Sequence, residues 1–289
     1  MLVTLKEILS KTRTEGYGVG AFNYNDYEDA KGIVEAAVEE NAPVILMASM
    51  GAVKYMGLKH AAEMVKELAE KAPVPVCLHL DHATDVDLIK DAVRAGFTSV
   101  MIDASKLDYE DNIRVTKEVV EFARPYGCSV ESELGTVGGK EEQIEAEDDV
   151  SGYTRPEDVP DFVGRTGIDA LAVAIGTCHG FYKKEPKIDF DRLGKIVELT
   201  DCPLVLHGGS GVPEEDFKTC VKMGMSKINV GTELKAGFSR ALREAVEKEP
   251  KEEFDPRNYM KYVIRTCKAI AKEKMQIFGS TGKAWKEQA

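Results

Sequence analysis

A stretch rich in histidine and carboxylate ends an apolar run in the first third of the chain. Residues 76–82 begin like a strand buried on both faces and end with two imidazoles and a carboxylate. Such groups are costly to desolvate unless they are paired or hold a metal. If His82 binds a metal, Asp81 lies beside an electrophilic centre, where a proton-transfer group is useful; the alternative is that Asp81 only caps the next helix. Since side chains alternate along a strand, His82 does not share the face of His79 and Asp81, and the triplet alone does not show convergence.

Other chemically active side chains also follow apolar segments. If these segments are strands of a closed barrel, their carboxyl ends form one rim, where barrel enzymes place their chemistry. That rim would present Asn23, Ser49, His79, Asp81, His82, Asp103, Glu131, Glu133, His179, His207, Ser210 and Asn229. Four of the five histidines fall in this set. Any one of them is better explained as structural, but His82, His179 and His207 together suit a catalytic zinc with an open position.

Eight short apolar segments, each followed by a helical pattern, must position these side chains. They are residues 18–23, 43–48, 74–80, 97–104, 127–134, 168–175, 203–208 and 226–231. The intervening stretches carry apolar residues at three- and four-residue spacing, as in 27–40 and 85–95. Alternating strands and helices imply parallel pairing, so eight units predict an α/β fold, a (β/α)8 TIM barrel. A doubly wound sheet is the alternative, but its Gly-rich dinucleotide fingerprint is not found in the sequence.

Two stretches exceed what a minimal barrel needs. Residues 138–159 are polar and acidic, which predicts a functional or disordered loop. The tail from 250 to 289 contains a helical pattern over 259–275, which predicts extra C-terminal helical structure packed on the barrel or on a neighbouring subunit. Because no Pro- and Ser-rich linker interrupts the chain, we expect a single domain over residues 1–289.

The composition of the 289-residue chain is that of an ordinary soluble globular protein, with 43% hydrophobic and 30% charged residues. A net charge of -12 argues against nucleic-acid binding but leaves room for a small phosphorylated substrate. The N-terminus lacks the features of a signal peptide, and no window approaches the roughly 18 apolar residues of a membrane span. We therefore expect a cytoplasmic protein without a membrane partner. The six cysteines show no CxxC spacing and are interpreted as reduced thiols.

Glycine-rich segments end the last three predicted strands. They are residues 176–180, 206–211 and 229–232. Glycine lets backbone N–H groups approach an anion, and the loops after strands seven and eight are the usual phosphate site of a barrel. Lys183 could add a positive charge. Each motif is weak alone, but with the histidines they predict a phosphorylated substrate near a metal.

Taken together, these motifs resemble the class II, metal-dependent ketose-bisphosphate aldolases. The matching pieces, in the order of the family, are residues 21–23, 79–82, 131–135 with 138–139, 176–180, 207–211 and 229–232, followed by 278–280. The resemblance covers nearly the whole chain. It implies a (β/α)8 barrel, usually a homodimer or homotetramer, that cleaves fructose or tagatose 1,6-bisphosphate reversibly to dihydroxyacetone phosphate and glyceraldehyde 3-phosphate.

The resemblance also implies roles for individual residues in the chemistry. Zinc would be held by His82, His179 and His207, while Asp81 would carry the proton of the C4 oxygen. The acid/base at C3 would be Glu141, in the loop after the fifth strand, with Glu142 as the alternative. Further implied residues are Asn229, which would steady the enediolate, and His79, Asp103 and Glu133, which would support the ligands or form a second metal site.

The substrate would be held around this centre. The residues expected to bind it or its phosphates are Asn23, Ser49, Gly180, Lys183, Gly208, Gly209, Ser210, Asn229, Gly231, Thr232 and Arg257. A monovalent cation, Na⁺ or K⁺, is implied beside the phosphate site. For Arg257, which is assigned to the distal phosphate, a surface ion pair is the alternative interpretation.

The substrate epimer is left open by the sequence. Gly231 stands where fructose-specific relatives often carry Asp and tagatose-type relatives a small residue, yet other fructose-using members carry Asn there. Relatives that act on 6-phospho-5-dehydro-2-deoxy-D-gluconate share the same core motifs. Two further hypotheses are a metal-dependent sugar-phosphate epimerase or phosphohydrolase, and a sugar-phosphate-binding protein without catalysis. Release of a triose phosphate discriminates between all of these and an aldolase.

Overall fold

The computed structural model describes residues 1–141, 144–146, 152–182 and 186–285, with the backbone alone described at 140–141 and 144–146. The strands in these residues are β1 (Leu2–Val3), β2 (Val19–Asn23), β3 (Val44–Ser49), β4 (Val76–Ala83), β5 (Ser99–Ile102), β6 (Ser129–Leu134), β7 (Gly138–Glu141), β8 (Ile144–Ala146), β9 (Ala170–Val173), β10 (Cys178–His179), β11 (Leu204–Leu206) and β12 (Met225–Val230). The helices are α1 (Leu5–Leu9), α2 (Thr12–Glu15), α3 (Tyr27–Glu40), α4 (Met50–Met56), α5 (Leu58–Lys71), α6 (Val86–Ala95), α7 (Tyr109–Ala123), α8 (Val159–Thr166), α9 (Phe190–Leu199), α10 (Glu214–Met223), α11 (Thr232–Lys248) and α12 (Pro256–Ile277).

Eight parallel strands close into a barrel in the order β2-β3-β4-β5-β6-β9-β11-β12, and β12 pairs with β2. The (β/α)8 prediction is therefore confirmed, and each strand lies within a few residues of its predicted segment. The largest difference is in β4, which continues to Ala83 and so includes Asp81 and His82. The carboxyl ends of all eight strands open on one rim, as the sequence analysis required.

The amino end of the barrel is closed by α1, a helix that the sequence analysis did not predict. Leu5, Ile8 and Leu9 of this helix pack on the inward-facing side chains of the strands, among them Ala21 and Val205. The other faces of the strands pack against the surrounding helices in a separate, larger core. Because one end of the barrel interior is filled with apolar side chains, polar chemistry is confined to the opposite rim.

The C-terminal helix is longer than predicted. Asp255 caps the amino end of α12 by accepting from the N–H of Arg257, and Pro256 occupies the first turn, where its missing N–H costs nothing. The helix packs against α3 and α11, on the outside of the barrel. The predicted helical tail is thus confirmed, with boundaries at Pro256 and Ile277 instead of 259 and 275.

The prediction of a loop over 138–159 is wrong at both ends, and its residues 142–143 and 147–151 lie outside the described residues. At the far end, Pro156–Asp158 form a 3-10 turn and α8 begins at Val159. The chain forms an antiparallel pair between β7 and β8, and β7 also pairs in parallel with β10. Apolar periodicity did not indicate these strands because backbone pairing above the rim needs no buried side-chain face.

None of the helices in the described residues combines the length and the apolar character needed to cross a membrane. None of the six cysteines forms a disulfide, in agreement with their interpretation as reduced thiols.

Candidate active site

His82 reaches the site through an irregularity in β4. Between Leu80 and Ala83 the pairing of β4 with β5 gains one residue, which is a β-bulge. His82 also has a φ of 47°, a left-handed conformation that is unusual for a residue other than glycine. The bulge breaks the strict alternation of side chains, so Asp81 and His82 both contribute to the rim. The strained backbone at His82 explains how Asp81 and His82 can both reach the site, a question that the sequence analysis left open.

Three histidines from three strand ends meet at this rim. The ring centroids of His82 and His207 lie 4.4 Å apart, those of His82 and His179 lie 4.8 Å apart, and those of His179 and His207 lie 5.9 Å apart. One nitrogen from each ring falls within 4.8 Å of the other two, and all three residues are buried. The structure therefore brings together the three residues that the sequence analysis named as metal ligands.

Carboxylates orient two of these rings. Asp103 accepts a hydrogen bond from Nδ1 of His82 at 3.0 Å, and Glu131 accepts one from Nε2 of His207 at 2.9 Å. The remaining nitrogens, Nε2 of His82 and Nδ1 of His207, are buried without any hydrogen-bond partner. A carboxylate that holds one ring nitrogen fixes the tautomer and directs the lone pair of the other nitrogen, as in metal sites.

The donor set fits a divalent transition metal. Three imidazoles with an open fourth position are a common zinc environment. Burial lowers the pKa of His82, but Asp81 and Asp103 outweigh burial and raise it to about 10 in the metal-free protein, so a metal would bind its Nε2 in exchange for a proton. Burial and the charge of His82 lower the pKa of His207 well below its usual value, which keeps its lone pair available. A second group, His82, Asp103 and Glu133, also brings three donor atoms within 4.8 Å of one another. Burial and the charge of Asp103 raise the pKa of Glu133 to about 8, and its Oε2 has no hydrogen-bond partner but lies 3.5 Å from Nδ1 of His207.

Asp81 is held by two amides beside the histidines. Asn23 donates from Nδ2 to one carboxylate oxygen at 3.1 Å, and Asn229 donates to the other at 3.3 Å. Burial raises the pKa of the carboxyl, but the positive charges of His82 and Lys227 outweigh burial and hold the pKa below its usual value. The cap of α6 is Asp85, so the alternative role of Asp81 as a helix cap is excluded.

A narrow pocket beside the histidines collects most of the residues predicted to bind phosphate. It is lined by Asn23, His179, Gly180, Gly208, Gly209, Ser210, Asn229, Gly231 and Thr232. The pocket lies at the amino end of α11, whose N-cap is Gly231 and carries no side-chain cap. In its first turn the N–H of Glu233 donates to Oγ of Ser210 at 3.1 Å, and the helix dipole at such an end favours an anion.

The loops that carry two of the histidines are locked to each other. Tyr182 donates from its hydroxyl to the carbonyl oxygen of Gly208 at 2.7 Å and accepts from the N–H of Cys178 at 2.9 Å. Gly208 has a φ of 66°, and a side chain there would overlap the Cys178 carbonyl group, whose carbon would lie 2.6 Å from the added Cβ. The histidine loops can pack this closely because position 208 has no side chain.

The His179 strand is also joined to the segment after β6. Cys178 and His179 pair with Gly138 and Gly139, which are the first residues of the β7–β8 hairpin. The backbone of Glu141 ends β7, so the hairpin carries this residue toward the same side as the histidine loop. The side chain of Glu141, and the whole of Glu142 and Lys183, lie outside the described residues.

Three other predicted site residues, Ser49, His79 and Arg257, are not members of the histidine cluster. Ser49 is at the rim, where it pairs in register with Asp81 and accepts from the N–H of Ala52 as the cap of α4. The imidazole of His79 lies deeper, with Nε2 3.7 Å from Glu131 and outside both groups of metal donors found in the described residues. Arg257 is exposed and forms an ion pair with Asp255 at 2.7 Å.

Sequence reasoning missed Lys227 altogether and gave Glu131 no role. Both side chains are completely buried, and they form an ion pair at 2.8 Å directly below the histidines. The available signal was a lysine two residues before Asn229 in a strand with no other charged residue, on the same face as that asparagine. A charged side chain that faces a barrel interior needs a partner, and this requirement predicts a buried carboxylate.

Comparisons with known proteins agree with this geometry. The model of the family described as "Fructose-bisphosphate aldolase class-II" matches residues 3–283. A fructose-bisphosphate aldolase of Thermus caldophilus is 46% identical, with 98% of this chain and 100% of the relative covered. One of Geobacillus stearothermophilus is 47% identical, with 98% and 99% covered. The crystal structure of the YdjI aldolase from Escherichia coli K12 superposes with a TM-score of 0.86 at 35% identity, covering 99% of this chain and 100% of that one.

Proposed function

Because the chain belongs to the class II fructose-bisphosphate aldolase family, we propose that it cleaves fructose 1,6-bisphosphate reversibly to dihydroxyacetone phosphate and glyceraldehyde 3-phosphate. The enzyme is a lyase of the aldolase type, and we assign the activity to one domain that spans residues 1–289. The observation that carries the proposal is the meeting of three buried imidazoles beside Asp81 and a glycine-lined anion pocket. Metal, proton carrier and phosphate site are the three parts that a metal-dependent aldol cleavage needs.

We propose that His82, His179 and His207 hold Zn²⁺. Zinc supplies a Lewis acid that stabilises the negative charge developing on the substrate oxygen when the carbon–carbon bond breaks, so no Schiff-base lysine is required. The unpartnered nitrogens of His82 and His207 support this assignment because such buried atoms are costly without a ligand. His79 faces Glu131, so we assign it to the support of that carboxylate. Asp103 binds His82, so we assign it to the orientation of that ligand.

Asp81 is proposed to exchange the proton of the C4 hydroxyl. The amides of Asn23 and Asn229 hold the carboxylate in place from both oxygens, which leaves it oriented before substrate arrives. Asn229 keeps a buried Oδ1 without a partner, and we assign this amide to the enediolate oxygens of the dihydroxyacetone phosphate half. Glu141, or Glu142 next to it, is assigned the proton transfer at C3.

The pocket at the amino end of α11 is proposed to hold the phosphate of dihydroxyacetone phosphate. Its ligands would be backbone N–H groups and the side chains of Ser210 and Thr232, with Na⁺ or K⁺ beside them and Lys183 as an additional charge. Ser49 is proposed to contact substrate at the rim. Arg257 is assigned to the distal phosphate, and the active protein is proposed to be a homodimer or homotetramer.

The substrate is tested by measuring triose phosphate release with fructose and tagatose 1,6-bisphosphates in parallel. We expect cleavage that a chelator abolishes, that zinc restores and that borohydride leaves intact, with fructose 1,6-bisphosphate as the better substrate. Faster cleavage of the tagatose epimer would assign the chain to the tagatose-type branch. This branch is the principal alternative because Gly231 is a small residue, as in tagatose-type relatives. Absence of triose phosphate from both substrates would refute the proposed function.

Replacing Gly139 with alanine tests the link between the β7–β8 hairpin and the metal. Gly139 has a φ of 91°, and an added Cβ would lie 2.7 Å from the backbone nitrogen of His179 and overlap its carbonyl oxygen. Because the obstacle is backbone, Gly139→Ala must displace the strand that carries His179. We expect the Kd for zinc to rise by about tenfold, the lower end of the range for changes beside a ligand.

Gly127→Ala is the matched control for this substitution. Gly127 has a φ of 65° but nothing within 4 Å of an added Cβ. Both variants bear the cost of a left-handed alanine, about 1–2 kcal/mol, so both should lower the melting temperature. Only Gly139→Ala should weaken zinc binding in a competition titration. Equal zinc affinities in the two variants would contradict the proposed coupling.

A further inference from the structure

The buried ion pair between Lys227 and Glu131 lies below the histidines. It does not line the anion pocket and is not exposed to solvent. Nζ of Lys227 is 2.8 Å from Oε2 of Glu131, and both side chains have no exposed surface. Removing two charges from water is expensive, and apolar residues of similar volume would often be as stable there. A pair in this position is therefore poorly explained by stability alone.

The other oxygen of the same carboxylate points at a metal ligand. Oε1 of Glu131 accepts from Nε2 of His207 at 2.9 Å, so Nε2 carries the proton and the lone pair resides on Nδ1. That Nδ1 is buried without a hydrogen-bond partner and lies 3.5 Å from Oε2 of Glu133. Glu131 thus divides its two oxygens between the ammonium and the imidazole, and its position sets both the tautomer and the tilt of the ring.

A third buried group, the imidazole of His79 on β4, also faces the Glu131 carboxylate. His79 binds the hydroxyl of Ser99 through Nδ1 at 2.7 Å, and its Nε2 faces Oε2 of Glu131 at 3.7 Å. Burial and the charge of Lys227 hold the pKa of His79 far below its usual value, so this imidazole is neutral. Among the described residues, Lys227 is the lysine or arginine that pairs with Glu131.

We propose that Lys227 and Glu131 are positioning residues for the metal centre, acting through His207. Lys227 holds Glu131 as an oriented carboxylate, and Glu131 makes Nδ1 of His207 the ligand atom and a stronger base. The inference rests on the proposed metal site and deepens it, since it names the groups that set metal affinity without contacting metal or substrate. Partners of this kind typically contribute about 10- to 100-fold to metal affinity.

Three variants test the proposal by titration with Zn²⁺ against a chromophoric chelator, and with Co²⁺ by absorption spectroscopy. Glu131→Gln and Lys227→Met each leave one partner of a buried pair uncompensated, so we expect a lower melting temperature and a Kd for zinc raised by about 10- to 100-fold. The double variant Glu131→Gln/Lys227→Met removes both charges with little change of volume. It should regain stability but keep the weakened zinc affinity and an altered Co²⁺ spectrum.

The double variant separates positioning from simple structural support, even if one single variant fails to fold. A double variant with the parental zinc affinity and Co²⁺ spectrum would overturn the proposal. Lys274→Met is the control, because Lys274 is another buried lysine, paired with Glu233 at 3.0 Å outside the barrel; it should lose stability and keep zinc affinity. Since the titration needs no turnover, a chain that binds zinc without cleaving a bisphosphate would refute the proposed function and leave this inference standing.

Discussion

Asp81→Asn is expected to abolish cleavage while leaving the metal in place. Asp81 is not among the groups of metal donors found in the described residues, and its contacts run to the amides of Asn23 and Asn229. An asparagine keeps the shape of the side chain but cannot carry the proton of the C4 hydroxyl. General acid–base groups contribute roughly 10²- to 10⁴-fold, so kcat should fall by that factor at saturating zinc. Asp81→Ala should lose at least as much, since it also releases the two amides.

The comparison that isolates this role is Asp103→Asn. Asp103 is another carboxylate next to the histidines, but it binds Nδ1 of His82, whereas Asp81 is held by the amides of Asn23 and Asn229. We expect this variant to bind zinc more weakly and to regain most of its turnover when zinc is saturating. The measurement is kcat against zinc concentration, together with the zinc content of the purified proteins. An Asp81→Asn enzyme that keeps turnover within about tenfold of the parent would remove Asp81 from the proton transfer.

His207→Ala is expected to lose both the metal and the activity. His207 is completely buried, and its Nδ1 is one of the three converging nitrogens. Removing a ligand should weaken zinc binding beyond the roughly 100-fold that is typical of changes beside a ligand. The parent protein should also melt at a higher temperature with zinc, since a ligand at about 100 times its Kd adds about 2.7 kcal/mol to the free energy of unfolding. The variant should show no such shift.

His60→Ala is the control for the loss of a histidine. His60 is the one histidine outside the predicted rim, and its side chain is exposed on α5. This variant should keep its zinc, its thermal shift and its turnover. Because His207 is buried, circular dichroism must show that His207→Ala is folded, and His179→Ala at the rim provides a second test. A folded, zinc-replete His207→Ala enzyme with normal turnover would show that the assigned metal centre is wrong.

The sequence by itself determined the barrel and the identity of the converging groups. Alternating apolar segments and helical patterns were sufficient to predict eight parallel strands, because burial on both faces imposes that pattern on every strand of such a barrel. Closure then requires the carboxyl ends of the strands to share one rim, so His179 and His207 could be placed together without coordinates. The glycines beside them similarly predicted the anion pocket that Gly208 and Ser210 now line.

Only the tertiary structure decided how these groups face one another. Regular alternation along a strand would place His82 on the face opposite to Asp81. A bulge with a left-handed His82 breaks this alternation, and no residue type in the segment predicts the bulge. The pairing of Lys227 with Glu131 joins residues 96 positions apart, so it depends on which strands become neighbours across the barrel interior. Local sequence encodes periodicity and residue chemistry, whereas distances between side chains arise from packing of the whole chain.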